Sequence, residues 1–446
     1  MPDQSDNQDE QRQGYRGEAL ALLQRHGAKV GQRISVETKE GLQTTGLLLP
    51  RYEHADSTHI VLKLKSGYNI GLDVGSIKSI TVVEESRPAP TRVAPKVQKE
   101  GRKRLLLLST GGTIASRVDY RTGAVHPALS AADLYSAVPE LDEIAAVTPE
   151  VVFSVYSENI SPKDWQKLSE RIIEAAREDK PDGIAVMIGT DTLAYVSAAL
   201  SFSLIGCKVP VVFVGAQRSS DRPSSDAALN LLGAARFAVD SETPGVFVAM
   251  HNSENDDYIA IHNGSRVRKN QTSRRDAFES IDIPPIASVK SGEIAFTEEK
   301  FPLKVPKEYE QKSKFDPRVA LVKFHPGFDP SILDHLVEKR GVRGIIIEGS
   351  GLGHVSSETV TKISELTQKG VFVGMCSQCI WGHVDMNVYD TGRDLIAAGA
   401  VSMENMLSET ALVKLSWAVA NFEDLKRVMQ TNLVGEMTAR IQLPQA

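Results

Sequence analysis

Four uninterrupted apolar runs, RLLLLST (104–110), GIAVMIGT (183–190), PVVFVGA (210–216) and GVFVAM (245–250), constrain this chain more than any other feature of it. A strand that is apolar on both faces has to be covered on both faces, which is the condition of a parallel sheet packed between helices. The stretches between the runs supply those helices. In SPKDWQKLSERIIEAAREDK (161–180) apolar side chains recur at helical spacing, Ser161 can cap the helix and Pro162 fits its first turn. A second alternation, RVALVKFH (318–325), GIIIEGS (344–350) and GVFVGM (370–375), follows a charged, Pro-containing stretch. The pattern predicts an α/β fold with two doubly wound parallel-sheet lobes, 102–297 and 318–446, joined by a linker at 298–317.

Ahead of the lobes the rhythm differs. Residues 1 to about 15 carry hardly an apolar side chain and read as a floppy tail, with a short helix, GEALALLQRHG (17–27), completing the segment 1–27. Between 28 and 86 five short β-rich runs are separated by Gly, Asp and Ser, and closing so short a sheet removes its exposed edges, so a small all-β barrel domain is expected. RPAPTRVAPKVQKEG (87–101) has three prolines and reads as an extended linker.

The 446 residues are long enough for two or three domains. With 51 basic against 57 acidic residues the net charge is −6, which argues against a wholesale electrostatic grip on nucleic acid and leaves local patches open. Three cysteines are too few for a disulfide framework and suit a reducing compartment, and the polar, acidic start has no secretory layout, so a cytoplasmic protein is expected.

Ligands of open parallel sheets collect beyond the carboxyl ends of the strands. Four such ends carry chemistry: Ser109-Thr110-Gly111-Gly112-Thr113, Tyr156-Ser157-Glu158-Asn159 after a strand at 151–155, Gly189-Thr190-Asp191-Thr192, and Gly215-Ala216-Gln217-Arg218. Glycines admit a ligand close to the backbone, and a threonine hydroxyl beside free amides can attack a carbonyl whose oxyanion those amides stabilise. Thr113 is a candidate nucleophile; Asp191 offers a carboxylate, and a lysine brought near, with Lys269 a candidate, could act as base once burial lowers its basicity. Each spacing alone is more often a structural turn or a helix cap. STGGTIAS lacks both the Lys-Ser/Thr ending of a P-loop and the G-x-G-x-x-G spacing of a dinucleotide fold. CSQCIWGH (376–383) could hold part of a zinc site but has no second cysteine pair. His325 and His354 follow apolar strands and are candidates for a pocket or for structural hydrogen bonds. The run SRVRKNQTSRRD (265–276), with five basic residues, reads either as a solvated loop or as an anion or tRNA contact.

Taken together, TGGTIA (110–115), Tyr120, Ser157, GTDT (189–192), GAQRSSDRPSSD (215–226) and Lys269 in GSRVRKNQT resemble the asparaginase family of amidohydrolases over about 102–420. The resemblance implies a two-lobed asparaginase-like fold in which Thr113 forms an acyl-enzyme, Tyr120 on a lid helps to activate it, and Thr190, Asp191 and Lys269 form a second triad. It further implies that Ser157 and Asp191 hold the substrate's carboxylate and amino groups, with Glu158 and Gly189 beside them. That family usually has His where this chain has Ile188, and Gln is frequent where it has Glu158.

The segment 28–86, MCSQCIWGHVDMNVYDTGRDLIAAGAV (375–401) and ETALVKLSWAV (409–419) resemble the D-subunit family of archaeal glutamyl-tRNA(Gln) amidotransferases. This implies a glutaminase that supplies ammonia to the amidotransferase E-subunit, where Glu-tRNA(Gln) is amidated. ATP and Mg would belong to that partner, with no cofactor and no metal in this chain, and a homodimer within a heterotetramer is implied. A free-standing L-asparaginase with an accessory barrel is the alternative.

Overall fold

The structure is a computed structural model that describes residues 14–51, 55–64, 69–84, 101–111, 116–118, 125–127, 138, 140–218, 224–297 and 305–438. The N-terminal segment is helix α1 (Gly17–Arg25) followed by strands β1 (Arg33–Thr38), β2 (Gln43–Leu48), β3 (His59–Lys63), β4 (Asn69–Asp73) and β5 (Ile77–Glu84). Alternation drives the packing: Ile34 and Val36 of β1 turn inward onto Leu48, Ile60, Leu62 and Ile80, with Ala19 and Leu23 of α1 on the same core. The strands form an antiparallel sheet ordered β4-β3-β2-β1-β5. Among the described residues no hydrogen-bonded rung joins β4 to β5. The tail reading stops short of Tyr15, which is 3 % exposed, accepts the Val61 amide at 3.0 Å and donates to the Leu49 carbonyl at 2.8 Å. Its earlier part and most of the 87–101 stretch lie outside the described residues.

The first α/β lobe is built on one sheet of eight strands. In chain order these are β6 (Arg104–Ser109), β9 (Ala146–Val151), β10 (Gly183–Met187), β11 (Pro210–Val214), β12 (Gly245–His251), β13 (Ile259–Asn263), β16 (Ala287–Lys290) and β17 (Glu293–Phe296). Outside it lie two small antiparallel pairs, β7 (Ser116–Val118) with β8 (Val125–Pro127) and β14 (Val267–Lys269) with β15 (Phe278–Ser280). The sheet order is β17-β16-β13-β12-β11-β10-β6-β9; the five strands from β12 to β9 are parallel, and β13, β16 and β17 are an antiparallel extension. Helices α2 (Pro162–Arg177), α3 (Leu193–Ser203) and α4 (Ala227–Asp240) cover its faces. Pro162 opens α2, and the Asp164 carboxylate accepts both the Ser161 amide at 2.9 Å and the Ser161 hydroxyl at 2.6 Å.

The second lobe is a parallel sheet of β18 (Val319–Lys323), β19 (Gly344–Gly349), β20 (Phe372–Ser377) and β21 (Val401–Ser402), with helices α5 (Ser357–Gln368), α6 (Asp390–Ala397), α7 (Ser408–Asn421) and α8 (Leu425–Gln430). Helix α3 is apolar nearly all round because it is buried nearly all round, and α7 packs on it, so the two lobes share one continuous core. The Phe202 and Trp417 rings stack across that seam at 5.7 Å. The described part of the 298–317 stretch is not a solvated connector. Tyr309 and Phe315 are buried, the Lys312 carbonyl accepts the Trp417 indole N–H at 2.8 Å, and the Gln311 amide donates to the Ile205 carbonyl at 3.0 Å. Lys307, Glu308, Glu310 and Lys314 are exposed while Tyr309 and Phe315 complete the shared core. Among the described residues no helix is long and apolar enough to cross a membrane.

Candidate active site

Strands β11, β10, β6 and β9 are neighbours running in the same direction, so the loops leaving their carboxyl ends share one edge of the sheet. All four chemistry-bearing segments emerge there. After β6, the Thr110 amide and hydroxyl both donate to the Met187 carbonyl, at 3.0 and 3.1 Å, which stitches this exit to that of β10. The strand expected at 151–155 ends at Val151, because the chain beyond it turns to meet this exit: the Val152 amide donates to the Ser109 carbonyl and the Val155 amide to the Thr110 carbonyl. Gly111 allows that approach. Its φ is +102°, and a Cβ there would stand 2.6 Å from the Val155 carbonyl oxygen.

Ser157 is 5 % exposed and lies against Gly189, where a Cβ would come within 2.7 Å of the serine Cβ. The Thr192 hydroxyl donates to the Ser157 carbonyl at 2.8 Å, fixing the two loops to each other. Glu158 and Tyr156 are exposed beside them. Ile188 is fully buried in the apolar core, its amide donating to the Val214 carbonyl at 3.0 Å. This position therefore offers the site a packed hydrocarbon and no polar ring.

Lys269 arrives from outside the sheet, at the end of β14. Its Nζ donates to Thr190 Oγ1 at 2.9 Å and to Asp191 Oδ1 at 2.7 Å. The lysine side chain is 13 % exposed and the aspartate 71 %, so the amine is enclosed while its carboxylate partner faces solvent. Thr190 is 7 % exposed, and the Lys269 amine is the group that contacts both it and Asp191. Such a trio can pass a proton between a hydroxyl and an amine while the carboxylate balances the charge that develops. Thr113 and Tyr120 lie outside the described residues.

Other candidates have different fates. The arginines of the basic run 265–276 are paired, although 270–274 are exposed: Arg266 is fully buried against Asp282, Arg268 pairs with Glu409, Arg274 with Asp276 and Glu254, and Arg275 with Asp256. Apart from Asp276, which ends the run, its carboxylate partners lie outside it, which is why it reads as excess charge. His325 Nδ1 faces the Pro326 carbonyl at 3.0 Å and its ring packs on Phe328; His354 faces Thr391 at 3.2 Å and Tyr389. Each is engaged within the second lobe. Cys376 is buried, and burial first, then the nearby Glu348 and Glu409 carboxylates, push its thiol pKa well above the usual range; Cys379 is exposed. Among the described residues no three His, Cys, Asp or Glu side chains are grouped to hold a metal.

A role that motif reading missed belongs to Asp226, fully buried at the start of α4. Its carboxylate accepts the Gln217 and Arg218 amides at 3.0 Å and the Asn230 side-chain amide at 3.0 Å, fixing the loop after β11. The residue stands in the GAQRSSDRPSSD motif, and a carboxylate ending that motif, twelve residues past the strand end at Val214, was the available signal.

Comparison with known proteins agrees with this architecture. Residues 104–302 match the family model described as Asparaginase, N-terminal, residues 318–431 match the Glutaminase/Asparaginase C-terminal domain, and residues 28–83 match the GatD N-terminal domain. The thermostable L-asparaginase from Thermococcus kodakarensis is 34 % identical, with a TM-score of 0.66, over 75 % of this chain and 99 % of that one. L-asparaginase I from Vibrio cholerae is 27 % identical, with a TM-score of 0.65, over 76 % of this chain and 100 % of its own. Over 426 residues the chain is 44 % identical to the glutamyl-tRNA(Gln) amidotransferase D-subunit of Thermococcus kodakarensis, covering 94 % of this chain and 96 % of that one. The D-subunit of Thermofilum pendens is 45 % identical over 440 residues, 96 % of this chain and 97 % of its own. With the asparaginase-type lobes and the N-terminal domain both matched along nearly their whole length, the chain belongs to the D-subunit family of glutamyl-tRNA(Gln) amidotransferases.

Proposed function

We propose that this chain is the glutaminase component of a tRNA-dependent amidotransferase, hydrolysing glutamine to glutamate and ammonia and supplying the ammonia to a partner chain. The observation that carries the reading is the position of Lys269 Nζ, 2.9 Å from Thr190 Oγ1 and 2.7 Å from Asp191 Oδ1 at the carboxyl edge of a parallel sheet. In the first half-reaction the Thr113 hydroxyl oxygen adds to the side-chain carbonyl carbon of glutamine and its proton passes to a base. Backbone amides of the glycine turn hold the oxyanion, the C–N bond breaks, and the nitrogen takes up a proton and leaves as ammonia. In the second, water adds to the threonine ester, its proton passing through Thr190 Oγ1 to the Lys269 amine, and glutamate is released with the threonine restored. Asp191 balances the ammonium formed on Lys269 and, with Ser157, Glu158 and Gly189, holds the amino-acid end of the substrate; Tyr120 assists Thr113.

The partner, the amidotransferase E-subunit, uses the ammonia to convert Glu-tRNA(Gln) to Gln-tRNA(Gln), and ATP and Mg are bound there. The 34 % identity to an L-asparaginase favours a second reading, a free-standing asparaginase with an accessory domain. The D-subunit relatives, matched over at least 94 % of this chain, favour the first. Ammonia release from glutamine and from asparagine, by the chain alone and with partner and charged tRNA, separates the two. Glutamine hydrolysis that is weak alone and rises with partner and Glu-tRNA(Gln) is expected. Rapid partner-independent asparagine hydrolysis would overturn the proposal.

A further inference from the structure

Lys269 ends a short strand. β14 has three residues and pairs with β15 through Val267–Ser280, Arg268–Glu279 and Lys269–Phe278. Backbone hydrogen bonds from the Ile281 amide to the Arg266 carbonyl at 2.8 Å and from the Asn270 amide to the Ala277 carbonyl at 2.7 Å extend the pairing at each end, and a proton relay needs close placement.

The remaining restraint comes from the second lobe. The Thr410 hydroxyl of α7 donates to the Ser265 carbonyl at 2.8 Å. Arg266 donates to the Asn405 carbonyl at 2.6 Å and to the Glu436 carbonyl at 3.0 Å, and pairs with Asp282 at 3.2 Å. Arg268 then meets Glu409 of α7, Nε to Oε1, at 3.1 Å. Successive residues of a strand point to opposite faces. Arg268 accordingly reaches α7 while Lys269 reaches Thr190, and a clamp on one side chain sets the direction of the next.

Glu409 is itself held. Its side chain is 12 % exposed, and the Ser408 hydroxyl lies 3.2 Å from its Oε2 and 2.6 Å from Glu348 Oε1. The same cluster reaches the other half of the site through Tyr195, in the first turn of α3 and four residues beyond Asp191. Burial above all, then the Glu409 carboxylate, raise the Tyr195 phenol pKa, with Arg268 opposing.

We propose that Glu409 is a positioning residue for the amidohydrolase reaction, which holds Arg268 and thereby fixes the face of β14 from which Lys269 reaches Thr190 and Asp191. The inference rests on the reading of Lys269 as the base. Without the Glu409 charge, Arg268 becomes an uncompensated, partly buried cation one residue from Lys269, and the strand end loses its anchor from the second lobe.

The test uses the chain co-purified with its partner and the variants Glu409→Gln, Arg268→Gln and the pair together. Glu409→Gln keeps an oxygen acceptor of the same length, so the fold is retained while the charge is removed. The expected result is a kcat for glutamine lowered about tenfold in each single variant with KM within about twofold, and no further loss in the double variant. A second readout needs no substrate: the rate at which limiting acetic anhydride labels Lys269, read by peptide mass spectrometry against the exposed Lys323, changes in Glu409→Gln. Wild-type kcat together with wild-type labelling in Glu409→Gln would overturn the inference, as would losses that multiply in the double variant. A Lys269→Met enzyme that still hydrolyses glutamine would instead overturn the reading of the base, and the labelling arm would still decide whether Glu409 positions the lysine.

Discussion

Two lysine–carboxylate pairs in this molecule use the same chemistry for opposite ends. Lys414 and Glu436 are both fully buried, with Nζ and Oε1 2.5 Å apart. Every group in that pair has a second partner: Lys414 also donates to the Met429 and Thr431 carbonyls, and Glu436 accepts the Leu433 and Val434 amides. Burial pulls the Lys414 pKa down from its usual range, with Glu436 opposing. Lys269 and Asp191 sit almost as close, at 2.7 Å, but the aspartate is 71 % exposed and the lysine spends its other contact on a hydroxyl. A sealed pair whose hydrogen bonds are all committed to backbone fastens α7 to the C-terminal turn. An open pair whose lysine also holds a hydroxyl is free to exchange protons.

The most disruptive way to break this comparison is to halve the sealed pair. Lys414→Met leaves Glu436 buried without its counter-charge, and denaturant unfolding is expected to show a loss of about 3–5 kcal/mol. Unchanged unfolding would remove the distinction. Next comes a sealed group without a charged partner. His262 is 2 % exposed, faces Ser280 through Nδ1 at 2.8 Å, and burial pulls its pKa down from the usual 6.5 to about 4. The unfolded chain therefore takes up that proton first, so the stability contributed is present above pH 6.5, is lost as the pH falls from there toward 4, and levels off below. The size of that loss is of order 3 kcal/mol, and His262→Gln should flatten the acid limb of melting temperature against pH.

A smaller effect tests the open site. Gly189→Ala drives a Cβ to 2.7 Å from that of Ser157, and is expected to raise KM for glutamine about tenfold with kcat less affected. An unaltered KM would place the amino-acid end of the substrate elsewhere. The smallest belongs to a pair exposed on both sides, Arg427 with Glu308, at 52 % and 48 % exposure. Arg427→Ala should leave the denaturant midpoint unchanged within error, and a clear shift would mean that exposure is a poor guide to what such pairs do here.

The same contrast explains what was legible in the sequence. Uninterrupted apolar runs such as Leu105–Leu108 can serve few structures besides a covered parallel strand, and strand ends in such sheets are where ligands bind, so Thr190, Asp191 and Ser157 could be found by position. Lys269 could be named from a motif, but its contact with Thr190 spans 79 residues and has no local pattern. The sealed pairs were not legible at all. Arg266 reads as part of a basic patch because Asp282, Asn405 and Glu436 stand 16, 139 and 170 residues away, and a charge run has no way of announcing that tertiary partners neutralise it. The N-terminal sheet shows the converse limit: five strands were readable from alternation, whereas whether the ends of the ladder meet depends on bending that the alternation does not encode.

The central claim is that the open pair does chemistry and the sealed pair does not. It is tested most directly by measuring ammonia release from glutamine and the melting temperature on the same Lys269→Met preparation, bound to its partner and supplied with charged tRNA. The account predicts a loss of about a thousandfold in kcat with melting unchanged within a few degrees. Glutamine hydrolysis within tenfold of the wild-type rate, in a protein that melts normally, would contradict it.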